Sequence, residues 1–524
     1  MAPVIGPEEG NGPGPGSSTE KYSYEGQMTR YVVGACLVAA MAGLLFGYDI
    51  GISGGVTSMG PFLRKFFPSV YAREAADKST NQYCKFDDVG LTMFTSSLYL
   101  AALVSSLAAS WVTRELGRKA SMVLGGFVFF LGAAMNGFAV SLWMLILGRL
   151  LLGVGVGFSV QSAPLYVSEM APHKHRGALN IFFQLSITTG ILSANLINYF
   201  TPRITSFAGW RLSLGGACIP ALFIFISAIF LPNTPNSMLE KGGGGREEEE
   251  QALAMLCRIR GVTQQQAAAE FRDLVAAAKA SRAVDGEHQW RKVLGKRQYR
   301  PQLTMAVVIQ AALQLSGINV VMFYAPVLFS SIGFGDDAAL LSAVVTGGVN
   351  VAATFVAVYG VDRWGRRALF LYGGAQMFIF QVLVAGLIGW KFGVTGEVSS
   401  LPKWYAVLIV TLICGFVSGF AWSWGPLGVV VPAEIFPLEI RSAAQSIAIS
   451  TSMVFTFLIA QLFLTMLCHM KFGLFLFFAF FLAAMSVFVY FFLPETKNIP
   501  IEAVHRVWEK HWFWRRFVIS DDDH

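Results

Sequence analysis

Runs of about twenty apolar residues recur twelve times along this chain, and no other feature limits its fold so strongly. A run of that length is what an α-helix needs to cross the roughly 30 Å hydrocarbon core of a bilayer. The runs fall near residues 31–53, 89–112, 120–140, 143–166, 178–200, 210–231, 303–331, 338–361, 368–390, 404–431, 442–468 and 472–493. Lipid offers no partner to a free N–H or C=O, so each run must be helical. Composition agrees: 54% of the 524 residues are hydrophobic and 14% are charged, against about 25% charged in ordinary soluble domains. The reading is an all-α polytopic membrane protein.

The polar remainder is unevenly placed. Residues 1–30 are rich in Gly, Pro and Glu, lack the marks of a cleaved signal peptide, and read as a disordered tail. Residues 232–302 hold a Gly run and two short amphipathic stretches, a linker with short helices between two halves, 31–231 and 303–493. Residues 494–524 form a short, basic and aromatic C-terminal tail, of the kind that lies at a membrane–lipid interface. An even number of crossings puts both tails and the linker on one side. Of 39 Lys and Arg, 28 fall on that side and 10 on the other, with Arg149 inside a span. By the excess of positive charge on cytoplasmic loops, the termini are cytoplasmic. The net charge of +7 thus reflects topology and does not point to nucleic acid.

The punctuation repeats. "RELGRK" (114–119) after the second span answers "DRWGRR" (362–367) after the eighth. "SEMAPHKHRG" (168–177) answers "AEIFPLEIRS" (433–442), so that Glu169 and Arg176 recur 265 positions later as Glu434 and Arg441. "PNTPNSMLEKG" after the sixth span is similar to "PETKNIPIEAV" after the twelfth. Matched signals in one order describe a six-plus-six duplication, expected to form two bundles that rock about a site near the midplane.

Within the spans two ionisable residues stand out, Asp49 in "LLFGYDIGIS" and Arg149 in "LILGRLLLGVGVGF". A charge at the bilayer centre costs about 2.5–3.5 kcal/mol on insertion scales. Arginine does not shed its proton at ordinary pH, so it requires a partner. Pairing Asp49 with Arg149 relieves both. Such a pair either fixes helix packing alone or provides a titrating group for proton coupling, because burial and a nearby cation push a carboxylate's pKa in opposite directions. Gly153 and Gly157 give the fourth helix a small-residue face for close approach. Polar amides are spread over three further spans: Gln184 and Thr188 on one face of the fifth, Gln310, Gln314 and Asn319 in the seventh, and Asn350 in the eighth. Each serves equally as an interhelical hydrogen bond or as a contact to a polar solute. Of six cysteines, Cys84 and Cys468 are the two placed toward an oxidising compartment. No CxxC or His–Cys cluster points to a metal, and no glycine loop points to a nucleotide; no cofactor is expected, and no enzymatic activity.

From Tyr31 to Val504 these motifs resemble the sugar porter family of the major facilitator superfamily. "FGYDIG", "MFYAPVLF", "SWGPLG" and "LTMLCHMKFG" are similar to its plant sugar transport proteins, the monosaccharide/proton symporters. The resemblance implies the major facilitator fold, with 12 transmembrane helices in two six-helix bundles and a cytoplasmic helical linker domain. It implies a functional monomer in the plasma membrane that imports a hexose such as glucose or galactose with a proton by alternating access. Asp49 and Arg149 then carry the coupling, the family's passive members commonly having Asn in place of the Asp. Gln184, Gln314, Asn319 and Asn350 match the sugar-contacting positions, with Phe46, Ile50, Phe420 and Gly425 lining the site. Arg118, Glu169, Arg176, Arg363, Arg366, Glu434 and Arg441 match a cytoplasmic gating network. Glu115 departs from the Asp-Arg often found there, which weakens that half of the network. Residues 57–88 match an extracellular lid, tethered by a Cys84–Cys468 disulfide. The pocket departs at three positions: Leu313 replaces a Gln, Val429 a Trp and Ser452 an Asn. Gln310, one turn before Leu313, is placed to replace part of the missing amide. The departures leave open a less polar solute as cargo, and the carrier scaffold leaves open a sugar sensor that does not transport.

Overall fold

The computed structural model describes residues 26–76, 88–172, 175–204, 208–241, 245–282, 286–331, 335–392, 402–437, 439–497 and 504–518. Among these, eleven helices are long and apolar enough to cross a membrane. In the first half they are Arg30–Thr57, Val89–Glu115, Arg118–Gly137, Leu142–Met170, Arg176–Arg203 and Ala208–Phe230. In the second half they are Asp337–Trp364, Arg366–Lys391, Lys403–Ile435, Arg441–Met470 and Gly473–Phe492. The twelfth crossing, seventh in order, is not the single run expected over 303–331. It is two helices, Arg300–Leu315 and Ile318–Ser331, each too short to span alone. Gly317 stands between them at φ +83°, a left-handed conformation that ends a helix and that a side chain resists.

The freed backbone at this break is satisfied from the side. Gln381 of the ninth span donates its amide to the Ser316 carbonyl at 3.2 Å, and the Ser316 hydroxyl bonds the Leu313 carbonyl at 2.7 Å. The tenth span breaks in turn at Ser423, separating Lys403–Trp422 from Trp424–Ile435, and runs past the expected 431. Spans 1 and 6 are interrupted too, at Met41 and at Gly216–Ala217; in spans 7 and 10 the loose backbone at Ser316 and Ser423 is buried within protein, where it is tolerated.

The two bundles meet chiefly along three seams, and span 10 also reaches spans 4 and 5. Span 2 packs on span 11, span 5 on span 8, and span 1 on the second half of span 7. At one end, here the tail end, the N-terminal stretch, the linker and the C-terminal tail converge. Of the linker helices Arg246–Arg260, Gln264–Arg282 and Gly286–Gly295, the first two are fastened there by buried Arg260. Its guanidinium bonds Glu270 and the Met170 carbonyl, each at 2.8 Å, while its own carbonyl accepts from the Gln27 N–H at 3.0 Å. In the C-terminal tail, Trp512 and Trp514 donate to the last carbonyls of span 12, Phe491 and Phe492, at 3.2 and 2.8 Å. At the opposite end, here the lid end, Gly60–Phe66 and Pro68–Ala76 form two short helices after span 1.

Candidate functional site

Span 1 holds the question posed by Asp49. Every fourth residue on one side of it is small, and at Gly47 the Ile187 carbonyl of span 5 sits where a Cβ would be. The helix is therefore pressed against its neighbour, which turns Tyr48 and Asp49 to the other side. Tyr48 donates to the Ser213 carbonyl of span 6 at 2.8 Å. Asp49 meets Arg149 of span 4 in an ion pair, both residues almost wholly buried. Arg149 makes two further contacts: its Nη2 donates to the Ser53 hydroxyl at 3.0 Å, and its guanidinium lies 4.3 Å from the Phe94 ring centroid. The guanidinium thus has a carboxylate, a hydroxyl and an aromatic face within reach, three stations of decreasing strength.

Phe94 also joins this pair to the lid. Phe62 of the first lid helix packs on Phe94 at 5.4 Å and on Trp210 at 5.9 Å between centroids. Two aromatic rings, Phe94 and then Phe62, thus lie in series between Arg149 and these short helices.

The expected solute-contacting residues come from both bundles. Gln314, Asn319 and Ser452 form one hydrogen-bonded group: Asn319 donates to the Gln314 amide oxygen, and Gln314 donates to the Ser452 hydroxyl at 2.7 Å. The break at Gly317 makes this possible, because five residues along one straight helix do not face each other. Asn350 points at Met322, with Nδ2 at 3.5 Å from the sulfur and a buried carbonyl oxygen left without a partner. Gln184 approaches from the first bundle, its amide nitrogen 3.1 Å from where a Cβ on Gly425 would stand, beside Phe420. Phe46 meets Tyr99 edge-on at 6.5 Å, and Ile50 is buried on the same helix.

The departing positions lie together as well. The Leu313 side chain packs against Gly428, and Gln310 donates to the Gly428 carbonyl at 2.7 Å. Its amide N–H is thus committed to the tenth span rather than presented to a solute in this conformation. Val429 and Ser452 are partly buried near the same helices.

Contacts between the bundles close both ends of this region. At the lid end, Tyr99 stacks on Phe323 at 5.2 Å, and Gly54 lies directly against the Phe323 carbonyl. There Gln461 of span 11 accepts from Ser96 at 2.6 Å and donates to Thr92 at 2.9 Å. Toward the tail end, Gln161 donates to the Ser442 carbonyl at 3.1 Å, and Asp362 accepts from the Ala178 N–H at 3.3 Å.

The repeated loop charges form two related clusters. Arg118 bonds Glu169 at 2.8 Å and also Glu240, while Glu169 accepts from Thr234 at 2.6 Å. In the second half Arg366 bonds Glu434 at 2.7 Å and Asp362 at 3.2 Å, and Glu434 accepts from Thr496 at 3.4 Å. Arg363 does not join the carboxylates; it lies over the Tyr359 ring at 3.8 Å and bonds its hydroxyl. Each cluster thus gives its arginine two carboxylates, Glu169 and Glu240 for Arg118 and Glu434 and Asp362 for Arg366. Glu115 is exposed and pairs only loosely with Arg114, at 3.9 Å. Arg176 and Arg441 open spans 5 and 11, the first half-buried and the second buried.

Cys468 takes part in a disulfide, whereas Cys36, Cys218, Cys257 and Cys414 are free thiols. Cys84 lies outside the described residues. Among the described residues, no group of three or more His, Cys, Asp or Glu gathers as a metal site would require.

Several members of these groups were not singled out from sequence. Glu240, Thr234, Asp362 and Thr496 sit within the repeated loop motifs, so the repeat itself was the signal for them. Ser53, Phe94 and Phe323 carry no such mark; only packing brings them to the site.

Residues 35–508 match the family described as "Sugar (and other) transporter". The chain is 64% identical over 496 residues to sugar transport protein 1 of Arabidopsis thaliana, covering 95% of this chain and 93% of that one. It is 62% identical to sugar carrier protein C of Ricinus communis, covering 97% and 95%. Among solved structures, the proton:xylose symporter XylE bound to 6-bromo-6-deoxy-D-glucose superposes with a TM-score of 0.77 at 24% identity, covering 92% of this chain and all of that one. With its twelve crossings in two bundles and a match that spans nearly the whole sequence, the chain belongs to the sugar (and other) transporter family.

Proposed function

We propose that this protein is a proton-coupled symporter that imports a monosaccharide by alternating access. It works as a monomer in the plasma membrane, with both tails and the linker in the cytoplasm and the lid outside. The observation that carries the coupling is the Asp49–Arg149 pair, a carboxylate and a guanidinium enclosed together in apolar spans. Relatives over 60% identical are named as sugar transport and sugar carrier proteins, which supports the cargo class.

The geometry supplies a route from proton to sugar. Protonation of Asp49 removes the ion pair and leaves Arg149 to Ser53 and Phe94. Span 1 is then free to shift relative to span 4. Its Gly47 side moves span 5, which carries Gln184, and its Gly54 side moves the second half of span 7, which carries Asn319. One proton event thereby acts on amides from both bundles. Gln184, Gln314, Asn319 and Asn350 hold the sugar hydroxyls; Phe46, Ile50, Phe420 and Gly425 line its apolar faces. The Arg118–Glu169 and Arg366–Glu434 clusters, with Arg176, Arg363 and Arg441, hold the cytoplasmic end shut, and a Cys84–Cys468 bridge tethers the lid.

Leu313, Val429 and Ser452 favour a second reading of the cargo. Two amides and an indole are replaced by smaller or less polar groups, so a deoxy sugar, an epimer or a less polar solute fits where glucose is expected. Uptake of a radiolabelled sugar panel into proteoliposomes, with and without an inward proton gradient, tests both. Gradient-driven accumulation of at least one monosaccharide is expected. No accumulation of any sugar under a gradient that drives a control symporter refutes the reading.

A further inference from the structure

Two side-chain amides tie the bundles together at the lid end, one on each of two seams. Where span 2 meets span 11, Gln461 reaches two hydroxyls at once. Ser96 donates to its Oε1 at 2.6 Å, and its Nε2 donates to Thr92 at 2.9 Å. The Thr92 hydroxyl gives its own proton to the Val89 carbonyl at 3.0 Å, which leaves it as the acceptor for the amide, so both prongs of Gln461 are fixed. Where span 5 meets span 8, Asn195 donates to the Ala343 carbonyl at 3.1 Å. Thr92, Ser96 and Asn195 are all buried.

The duplication relates the two contacts. The 265-residue offset that carries Glu169 to Glu434 carries Asn195 to position 460, beside Gln461. The 248-residue offset between "RELGRK" and "DRWGRR" carries Ser96 to position 344, beside Ala343. Each amide stands about twenty residues beyond the tail-end start of its span, Arg176 or Arg441, which is about 30 Å of helix. Each partner lies within two turns of the lid-end start of its own span. Nearer the middle of the first seam, Ser446 donates to the Ser106 carbonyl at 2.9 Å, and the Ser106 and Ser450 hydroxyls meet at 3.1 Å.

An apolar seam resists reopening in proportion to the area it exposes. Amide–hydroxyl bonds are exchanged for bonds to water at small net cost, so they suit a seam that must close in register and part again. We propose that Gln461 and Asn195 are paired latches of the lid-end gate. As positioning residues they hold spans 2 and 11, and spans 5 and 8, together while the lid end is shut, and release them when it opens. The inference rests on the alternating access proposed above.

Hydrogen exchange of the full chain in lipid nanodiscs, read by mass spectrometry, tests it. Gln461→Met and Asn195→Leu remove the amides at nearly constant volume. Each is expected to speed exchange over the lid-end segments 89–99 and 336–346 and to slow it over the tail-end segments 176–184 and 441–449. The shift is expected to be about fivefold for Asn195→Leu, the loss of one hydrogen bond, and larger for Gln461→Met, which loses two. Thr92→Val with Ser96→Ala is expected to match Gln461→Met, and the triple variant to go no further. Equal speeding at both ends, as loss of packing alone produces, overturns the latches. So does unchanged exchange, or a triple variant whose effect is the sum of its parts. Uptake into proteoliposomes separates the two readings: sugar accumulation by the unsubstituted protein with indifferent latch variants refutes only the latches, whereas opposed changes at the two ends without accumulation refute only the symporter.

Discussion

The two bundles share one plan and divide the chemistry between them. In the first, spans 1 and 4 stay helical through the midplane and carry a charged pair. In the second, the corresponding spans 7 and 10 break at Gly317 and Ser423, and polar amides and hydroxyls gather there. The 265-residue offset that relates Glu169 to Glu434 carries Arg149 to Cys414, a half-buried thiol, so no second guanidinium exists. A buried ion pair repays its desolvation only when its geometry is tightly held, and the close contact of span 1 with span 5 at Gly47 provides that. Amides brought together from five positions apart in one span need backbone able to turn, and the break at Gly317 provides that instead. The tail end shows the same asymmetry: each half has its Arg–Glu cluster, but Asp362 of the second also bonds across to Ala178 of the first.

The strongest way to break this division is to remove the charge from the first bundle. Asp49→Asn is expected to reduce gradient-driven accumulation to the equilibrium ratio in proteoliposomes, while sugar exchange across the membrane continues. Continued concentration by the mutant would refute the assignment. Replacing Arg149 alone is expected to be worse for the fold, since it strands a buried carboxylate at a cost of about 3–5 kcal/mol. The yield of folded Arg149→Gln against that of the double Asp49→Asn, Arg149→Gln variant measures this.

A smaller effect is expected from restoring the second bundle's chemistry. Leu313→Gln with Val429→Trp adds an amide and an indole next to Gln314. Glucose affinity is expected to rise about tenfold, equivalent to about 1.4 kcal/mol, as read from transport KM and equilibrium binding. High affinity in the unmodified protein with no gain in the variant would show that Gln310 releases Gly428 and serves the sugar itself.

Glycines sharpen the contrast between straight and broken helices. Gly317→Ala forces a side chain into left-handed backbone, at about 1–2 kcal/mol, and brings its Cβ to 2.8 Å from Phe478. Gly34→Ala lies in helical backbone of span 1 with nothing within 4 Å, and is expected to stabilise by up to about 1 kcal/mol. Thermal unfolding in detergent is expected to move in opposite directions for the two.

The smallest expected effect lies in the tail on span 12. His511 Nδ1 accepts from the Phe513 and Trp514 N–H groups at 3.2 and 3.4 Å. Burial holds its pKa below the ordinary 6.5; the Phe491 carbonyl opposes this and Arg367 adds to it. Because the folded value is depressed, the docked tail is fully favoured above pH 6.5 and loses that support as pH falls through the lower folded value. Protection of the Phe513 and Trp514 amides, their exchange rate relative to that of an unstructured amide at the same pH, is expected to fall on acidification, and His511→Gln to blunt the response.

Hydrophobic periodicity and length by themselves determined twelve crossings, because lipid leaves an apolar run no other fold. The repeated loops determined the duplication, and the rarity of charge in lipid marked Asp49 and Arg149. Tertiary structure alone decided the break in span 7. The amides of "QLSGIN" read as polar positions on one unbroken span, and only the left-handed turn at Gly317, backed by Gln381, shows that Asn319 folds back onto Gln314. It also decided that Phe94 connects Arg149 to the lid, that Glu240 reinforces Arg118, and that Arg363 turns away to Tyr359. Sequence records which groups lipid will not tolerate alone; which partner relieves each one depends on distances between helices far apart in the chain, and only packing sets those.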